Sequence, residues 1–163
     1  MLYIAYGSNL HLEQMGYRCP DAEVAGKGVL KGYDLLFRGY RHSAVATVEP
    51  LENGAVPVLL WDISRQDERS LDRYEGWPSF YRKEIISVEF NGGETPAMIY
   101  IMNRGPEFGT PSEAYYNTIR EGYESAGFDL EYLENAAEKS AELAMQRDKD
   151  FRFELCFDDM EMF

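Results

Sequence analysis

Two short stretches of the sequence carry residues able to do chemistry with a carboxyl group and backbone donors alone. The first is Leu71-Asp72-Arg73-Tyr74-Glu75-Gly76-Trp77, where a predicted helix ends on a carboxylate. A carboxylate at a helix C-terminus meets the negative end of the helix dipole. Tyr74 and Trp77, on either side of Glu75, would partly desolvate it. Both effects disfavour the charged form and lift the pKa toward that of a group able to take and return a proton near neutrality. Many helices end on a glutamate with no chemical part, and the motif alone leaves that alternative open. The second stretch is Tyr6-Gly7-Ser8-Asn9-Leu10, directly after an apolar N-terminal run. Gly-Ser-Asn favours a turn. Such a turn either just ends the strand or presents consecutive N–H groups as a nest for a carboxylate or an oxyanion.

Other residue types offer less. Tyr81, Tyr100 and Tyr115 either fill the core or join Tyr6 in lining one pocket with ring faces and a few hydroxyls. His11 and His42 are the only histidines, and neither has a Cys, His or paired carboxylate at ligand spacing, so no metal site is expected. Ser8 does not sit in Gly-x-Ser-x-Gly, so a hydrolase elbow is not supported. Cys19, beside Pro20, reads as structural. The run Gly26-x-Gly28-x-x-x-Gly32 has the wrong spacing for a nucleotide fingerprint and reads as a bent strand.

The elements that must position these groups follow from patterning. Residues 2–6 read as a strand, and 10–17 as a short helix or turn. Residues 22–38 read as strand broken by glycine bends, 44–48 as a short strand and 57–63 as a longer one. Ser64 with Asp67 three residues on caps a helix over 65–74, and Glu75-Gly76-Trp77-Pro78 stops it. Tyr81 to Phe90 and Ala97 to Met102 flank the hairpin turn Asn91-Gly92-Gly93. Thr110 is the expected cap of the next helix, with Pro111 at its first position and Glu113 completing a capping box. Tyr115, Ile119 and Tyr123 share one face of it, and Gly127 ends it. A further helix covers about 130–145. Phe151, Phe153, Leu155 and Phe157 then alternate with polar residues, as a strand would. Bent strands with a few helices predict an α+β fold, a small mixed β-barrel with flanking helices.

Bulk properties set the outer bounds. The 163 residues suit a single core. The net charge of −13 argues against nucleic acid and against an anionic membrane surface. Residues 129–163 hold 11 acidic and 4 basic side chains, so the rest of the chain is only mildly acidic and a small anionic substrate remains compatible with it. Two distant cysteines give no disulfide framework. No apolar run approaches the ~18 residues of a membrane span. No basic segment precedes the first strand, so no secretory leader and a cytoplasmic location are expected.

Three segments in this order resemble the gamma-glutamylcyclotransferase family, including its avirulence-induced-gene-like and gamma-glutamylamine cyclotransferase relatives. They are Tyr6-Gly7-Ser8-Asn9-Leu10 after an N-terminal strand; Leu71-Asp72-x-x-Glu75-Gly76 followed by Tyr81-Arg82; and Tyr100 with Pro111-Ser112-x-x-Tyr115-x-x-x-Ile119-x-x-Gly122. The resemblance spans roughly residues 1–140. It implies a small mixed barrel with helices outside and one cavity. It also implies that a γ-glutamyl amine attacks its own side-chain carbonyl, releasing 5-oxoproline and an amine or amino acid. In that family the turn holds the glutamyl group and the glutamate carries protons, roles that map to Tyr6 through Leu10 and to Glu75. Tyr81, Tyr100 and Tyr115 would line the pocket. Such chemistry needs no metal and no cofactor. The alternative is a non-catalytic ligand-binding or regulatory module on the same scaffold.

The resemblance implies a domain over 1–145 and leaves 146–163 as an acidic C-terminal strand or tail. An aromatic strand left open could be exchanged between two copies, giving a homodimer.

Overall fold

The computed structural model describes residues 1–161, with side chains through residue 156. The Phe157 side chain and residues 162–163 lie outside the described residues.

Five strands close into a barrel in the order β1-β3-β2-β4-β5. They are β1 (Leu2–Ala5), β2 (Glu23–Tyr40), β3 (Ser43–Asp62), β4 (Tyr81–Phe90) and β5 (Gly93–Met102). Neighbours pair antiparallel except where β5 meets β1 in parallel, Tyr3 opposite Met98. The sheet is therefore mixed, as expected. The two strands expected at 44–48 and 57–63 are parts of one 20-residue β3. It stays paired with β2 through register shifts between Val24 and Gly26 and between Lys31 and Tyr33. These shifts fall at glycines that read as bends; each lets a long strand turn the corner a small barrel requires.

Closure is incomplete between β2 and β4, which share the single pair Val29 opposite Glu89. The far half of β2 would thus expose unpaired N–H groups. The final helix α4 (Leu130–Glu161) covers them. The Phe37 N–H donates to Ser140 Oγ at 2.9 Å and the Leu35 N–H to Tyr132 Oη at 3.3 Å. Leu133, Ala136, Ser140 and Ala144 form its buried face. Covering an open edge this way removes a template for unwanted strand pairing.

Helix α4 runs on through the segment that alternation marked as a strand or tail. Period-2 patterning specifies a strand only where a sheet edge receives it, and here that edge is already taken by α4's own first half. Phe151, Phe153 and Leu155 stay exposed on the helix. After Gly127 no glycine or proline interrupts the sequence, so nothing local ends the helix near 145.

The other helices are a 3₁₀ turn, Ser8–Leu10, α1 (Leu12–Arg18), α2 (Arg65–Glu75) and α3 (Glu113–Ala126). Helix α3 starts two residues later than expected. Ser112, not Thr110, is its cap and accepts the Tyr115 N–H at 3.3 Å. Thr110 is occupied elsewhere: its N–H donates to Arg41 O at 2.7 Å and its carbonyl accepts from Ala44 N–H at 3.1 Å. His11 caps α1 through Nδ1, and its Nε2 meets Glu121 of α3 at 2.6 Å.

Helix α3 also presses on the 3₁₀ turn. A Cβ on Gly122 would lie 2.6 Å from Leu10 Cβ and 2.8 Å from its carbonyl carbon, so only glycine permits this approach. Gly122→Ala should lose about 1–3 kcal/mol of stability by overpacking. Urea denaturation measures it; an unchanged midpoint would show that the turn is not held by this contact.

Candidate functional site

Helix α2 delivers Glu75. Its start is locked by the expected capping box: Ser64 Oγ accepts the Asp67 N–H and Asp67 accepts the Ser64 N–H, both at 3.1 Å. Its middle is clamped to the barrel. Asp72 accepts from the Tyr100 hydroxyl at 2.6 Å, and Lys83 Nζ pairs with both Asp72 and Glu68. Its end is set by Gly76 in the left-handed region, φ 65°, with the Trp77 N–H reaching back to Asp72 O at 2.9 Å. Glu75 is the last residue before that stop, so its side chain is aimed by a terminus fixed on three sides.

The 3₁₀ turn delivers the backbone groups. The Leu10 N–H returns to Gly7 O and the His11 N–H to Ser8 O. Among the described residues, no hydrogen bond claims the N–H of Gly7, Ser8 or Asn9. The turn is held from outside: Trp61 Nε1 donates to Asn9 O at 3.0 Å, and Ser8 Oγ lies 3.0 Å from the Tyr74 hydroxyl. Leu10 is fully buried, packed against α3, and does not line the cavity; of the five turn residues expected at the site it is the one outside the wall.

Turn and glutamate meet in one cavity of about 250 Å³. Its walls include Tyr6, Gly7, Ser8, Asn9, Glu75, Tyr81, Tyr100 and Tyr115, all expected from sequence, together with Tyr3, Val45, Ala46, Tyr74 and Phe80. Trp77 is not in the wall. It is 43% exposed and lies over Lys83 Nζ at 4.0 Å, so it does not shield Glu75 as expected from its place in the chain. Tyr3, Val45, Ala46 and Phe80 reach the site through barrel closure, and strand alternation gives no sign of which barrel residues face one cavity.

The tyrosines divide by what their hydroxyls do. Tyr6 donates to Tyr100 O and Tyr81 to Ala46 O, both at 2.6 Å. Tyr100 donates outward to Asp72. These hydrogens are committed to the scaffold. Tyr115 instead accepts from the Ala46 N–H at 3.0 Å, and Tyr3 accepts from Asn9 Nδ2 at 2.8 Å. Each therefore keeps a hydroxyl hydrogen to donate. Burial pushes Tyr3, Tyr6, Tyr81, Tyr100 and Tyr115 all above the ordinary phenol range, so they remain neutral donors at physiological pH.

Glu75 is the one carboxylate in this wall among the described residues. Burial pushes its pKa up to about 7, against the opposing pull of the Arg18 guanidinium. Arg18 reaches the site indirectly. It lies over the Tyr74 ring at 3.4 Å and donates to Asn9 Oδ1. With its oxygen taken, the Asn9 amide must turn its nitrogen toward Tyr3 and toward Glu75 Oε1, 3.5 Å away. The arrangement brings a carboxyl with a pKa raised to about 7 into a small, ring-lined chamber whose wall also holds Gly7, Ser8 and Asn9. Among the described residues, no lysine, arginine or histidine stands in the wall.

Comparison with known proteins gives a consistent result. The family model for gamma-glutamyl cyclotransferase, AIG2-like, matches residues 3–122. Human gamma-glutamylcyclotransferase is 30% identical over 142 residues, covering 82% of this chain and 75% of the human protein. A solved structure of gamma-glutamyl cyclotransferase superposes with a TM-score of 0.74 at 30% identity, covering 83% of this chain and 85% of the other. YkqA from Bacillus subtilis shares the fold, with a TM-score of 0.73 at 22% identity, over 88% of this chain and 55% of its own.

The raised pKa of Glu75 has a consequence for stability. Below pH 4.5 the folded and unfolded states both hold the proton, and Glu75 is neutral to stability. Between that value and about 7 the unfolded chain releases the proton while the folded one retains it, so stability falls as pH rises. Above about 7 the cost is constant, on the order of 3 kcal/mol. Glu75→Gln removes it. The variant should melt higher than the parent at pH 8 and match it at pH 4.5; an equal difference at both pH values would contradict the buried-carboxylate origin of the shift.

Proposed function

The chain belongs to the gamma-glutamyl cyclotransferase, AIG2-like family, and from that membership we propose that it is an enzyme releasing 5-oxoproline from a γ-glutamyl amino acid or amine. The observation that carries the reading is the meeting of Glu75 with the unclaimed N–H groups of the Gly7–Asn9 turn in one cavity.

The glutamyl α-carboxylate takes the N–H groups of Gly7, Ser8 and Asn9, the donors available in a wall without cations. This sets the α-ammonium near Glu75. The ammonium cannot attack until it loses a proton, and Glu75 accepts it. The freed nitrogen attacks the side-chain carbonyl of the same glutamyl group, forming one C–N bond and a five-membered ring. Charge that develops on the carbonyl oxygen is met by a neutral hydroxyl donor, with Tyr115 and Tyr3 the two whose hydrogens are uncommitted. Glu75 returns this proton to the leaving nitrogen as the old C–N bond breaks, and then carries a second proton from the ring nitrogen to the departing amine. Of the three hydrogens on the ammonium, one stays on the lactam nitrogen and two end on the departing amine, which leaves as an ammonium. No proton is gained or lost overall.

Because attacker and target belong to one molecule, the protein supplies chiefly a folded-back conformation and a proton path. The chamber of about 250 Å³ suits one glutamyl group.

Glu75→Gln should lower kcat for 5-oxoproline release by about 10²–10⁴-fold while remaining folded. In the parent enzyme kcat/KM should rise with pH and level off above about 7, because the free enzyme must hold Glu75 ionised to act as base. Release is followed by product mass, which separates 5-oxoproline from the free glutamate that hydrolysis would yield. A fully active Glu75→Gln variant would sink the mechanism.

A further inference from the structure

The cavity around Glu75 opens on one side. Val45 and Phe80 belong to its wall and also to the wall of a second recess of about 460 Å³. Gly39, Tyr40, Ser43 and Pro106 complete that recess. Its surface is almost wholly apolar, and among the described residues it holds no charged side chain. Two aromatic rings lie open there, Tyr40 at 83% exposed and Phe80 at 40%.

Both rings are carried by ordered backbone. Tyr40 pairs with Ser43 at the tip of the β2–β3 hairpin. Phe80 donates its N–H to Gly76 O and accepts the Asn103 N–H, each at 2.9 Å. Its ring stands edge-on to Tyr81 at 5.1 Å, and Tyr81 in turn lines the Glu75 cavity. The recess is thus a continuation of the site and is positioned by the same elements: the stop after α2 and the hairpin that carries Val45 and Ala46.

Volume makes the continuation necessary. Pockets that enclose a whole drug-sized ligand hold about 300–1,000 Å³. The Glu75 chamber, at about 250 Å³, has room for the glutamyl half, and the rest of a substrate must project across Val45 and Phe80. What it meets there, among the described residues, is ring and aliphatic surface with no lysine, arginine or histidine to pair with a carboxylate and no acid to pair with an ammonium. Burying a charge without a partner is costly, whereas covering apolar surface is favourable.

We propose that the recess formed by Tyr40, Val45, Phe80 and Pro106 is the leaving-group subsite, and that the favoured substrate is a γ-glutamyl amide of an amine bearing an aromatic or branched aliphatic group without charge. The inference rests on the cyclotransferase reading. It adds a reason for product release as well. Bond cleavage converts an uncharged amide nitrogen into an ammonium, which a recess without an acidic side chain holds poorly.

The test compares 5-oxoproline release from γ-glutamylphenethylamine, γ-glutamylethylamine, γ-glutamylglycine and ε-(γ-glutamyl)lysine. The expected kcat/KM for the phenethylamine compound exceeds each of the others by at least about tenfold. Tyr40→Ser, a change at an exposed ring whose folding is checked by circular dichroism, should lower the ratio of the phenethylamine value to the ethylamine value by about fivefold. Equal kcat/KM across the panel, a preference for the glycine or lysine compound, or a ratio unmoved by Tyr40→Ser would each overturn the subsite while leaving the cyclotransferase reading intact. Absence of 5-oxoproline from all four would instead overturn that reading, and the subsite with it.

Discussion

One buried amide joins every part of the site. Asn9 is 2% exposed, and all of its polar groups but the backbone N–H are occupied. Its carbonyl is held by Trp61, its Oδ1 by Arg18, and its Nδ2 by Tyr3, with Glu75 beyond. Arg18 can only donate, so it decides which way the amide faces. That choice sends the amide nitrogen, rather than its oxygen, toward the glutamate. An oxygen facing Glu75 would repel the ionised carboxylate; a nitrogen tolerates it. The same residue is part of the 3₁₀ turn, so the geometry of the N–H cradle and the orientation of the carboxyl are set together. The turn is pressed into place by α3 across Gly122 and tied to the barrel by Trp61.

The electrostatics of Glu75 are a contest between two effects of that architecture. Burial among tyrosine rings favours the neutral acid, and Arg18 favours the anion. Burial wins, but only as far as about 7. A carboxyl in the same chamber without Arg18 would sit higher and be a poor base at physiological pH; one in direct contact with an arginine would sit lower and be a poor acid. The tyrosines, pushed away from ionisation by the same burial, stay as neutral donors. Division of labour between one titrating group and several fixed dipoles therefore follows from a single physical cause acting on acids of different starting pKa.

Much of this was legible in the sequence wherever the signal is local. Ser64 with Asp67, and Gly76 after Glu75, specify both ends of α2, and the structure has them as expected. Gly26 and Gly32 marked the bends of β2. The turn at Gly7–Asn9 and the glutamate were visible as two motifs whose types suit one another, although about 65 residues separate them. What was not legible depends on closure of the barrel. Tyr3, Val45, Ala46 and Phe80 become wall residues only when β1, β3 and the loop before β4 are brought around one chamber. Arg18 becomes part of the site only by folding back over Tyr74. Alternation in the C-terminal segment suggested a strand because sequence does not reveal that the open edge of β2 is already covered by Tyr132 and Ser140. Thr110 and Ser112 are both good caps by type, and the hairpin's claim on Thr110 decided between them.

The central claim is that the turn takes the carboxylate of the small molecule while Glu75 takes the adjacent nitrogen. A crystal structure with 5-oxoproline bound tests it most directly. The product carboxylate should accept hydrogen bonds from the N–H groups of Gly7, Ser8 and Asn9, and the lactam nitrogen should lie about 2.6–3.2 Å from a Glu75 carboxyl oxygen. Product bound outside this chamber, or bound within it with its carboxylate turned away from the Gly7–Asn9 turn and its ring nitrogen out of reach of Glu75, would contradict it.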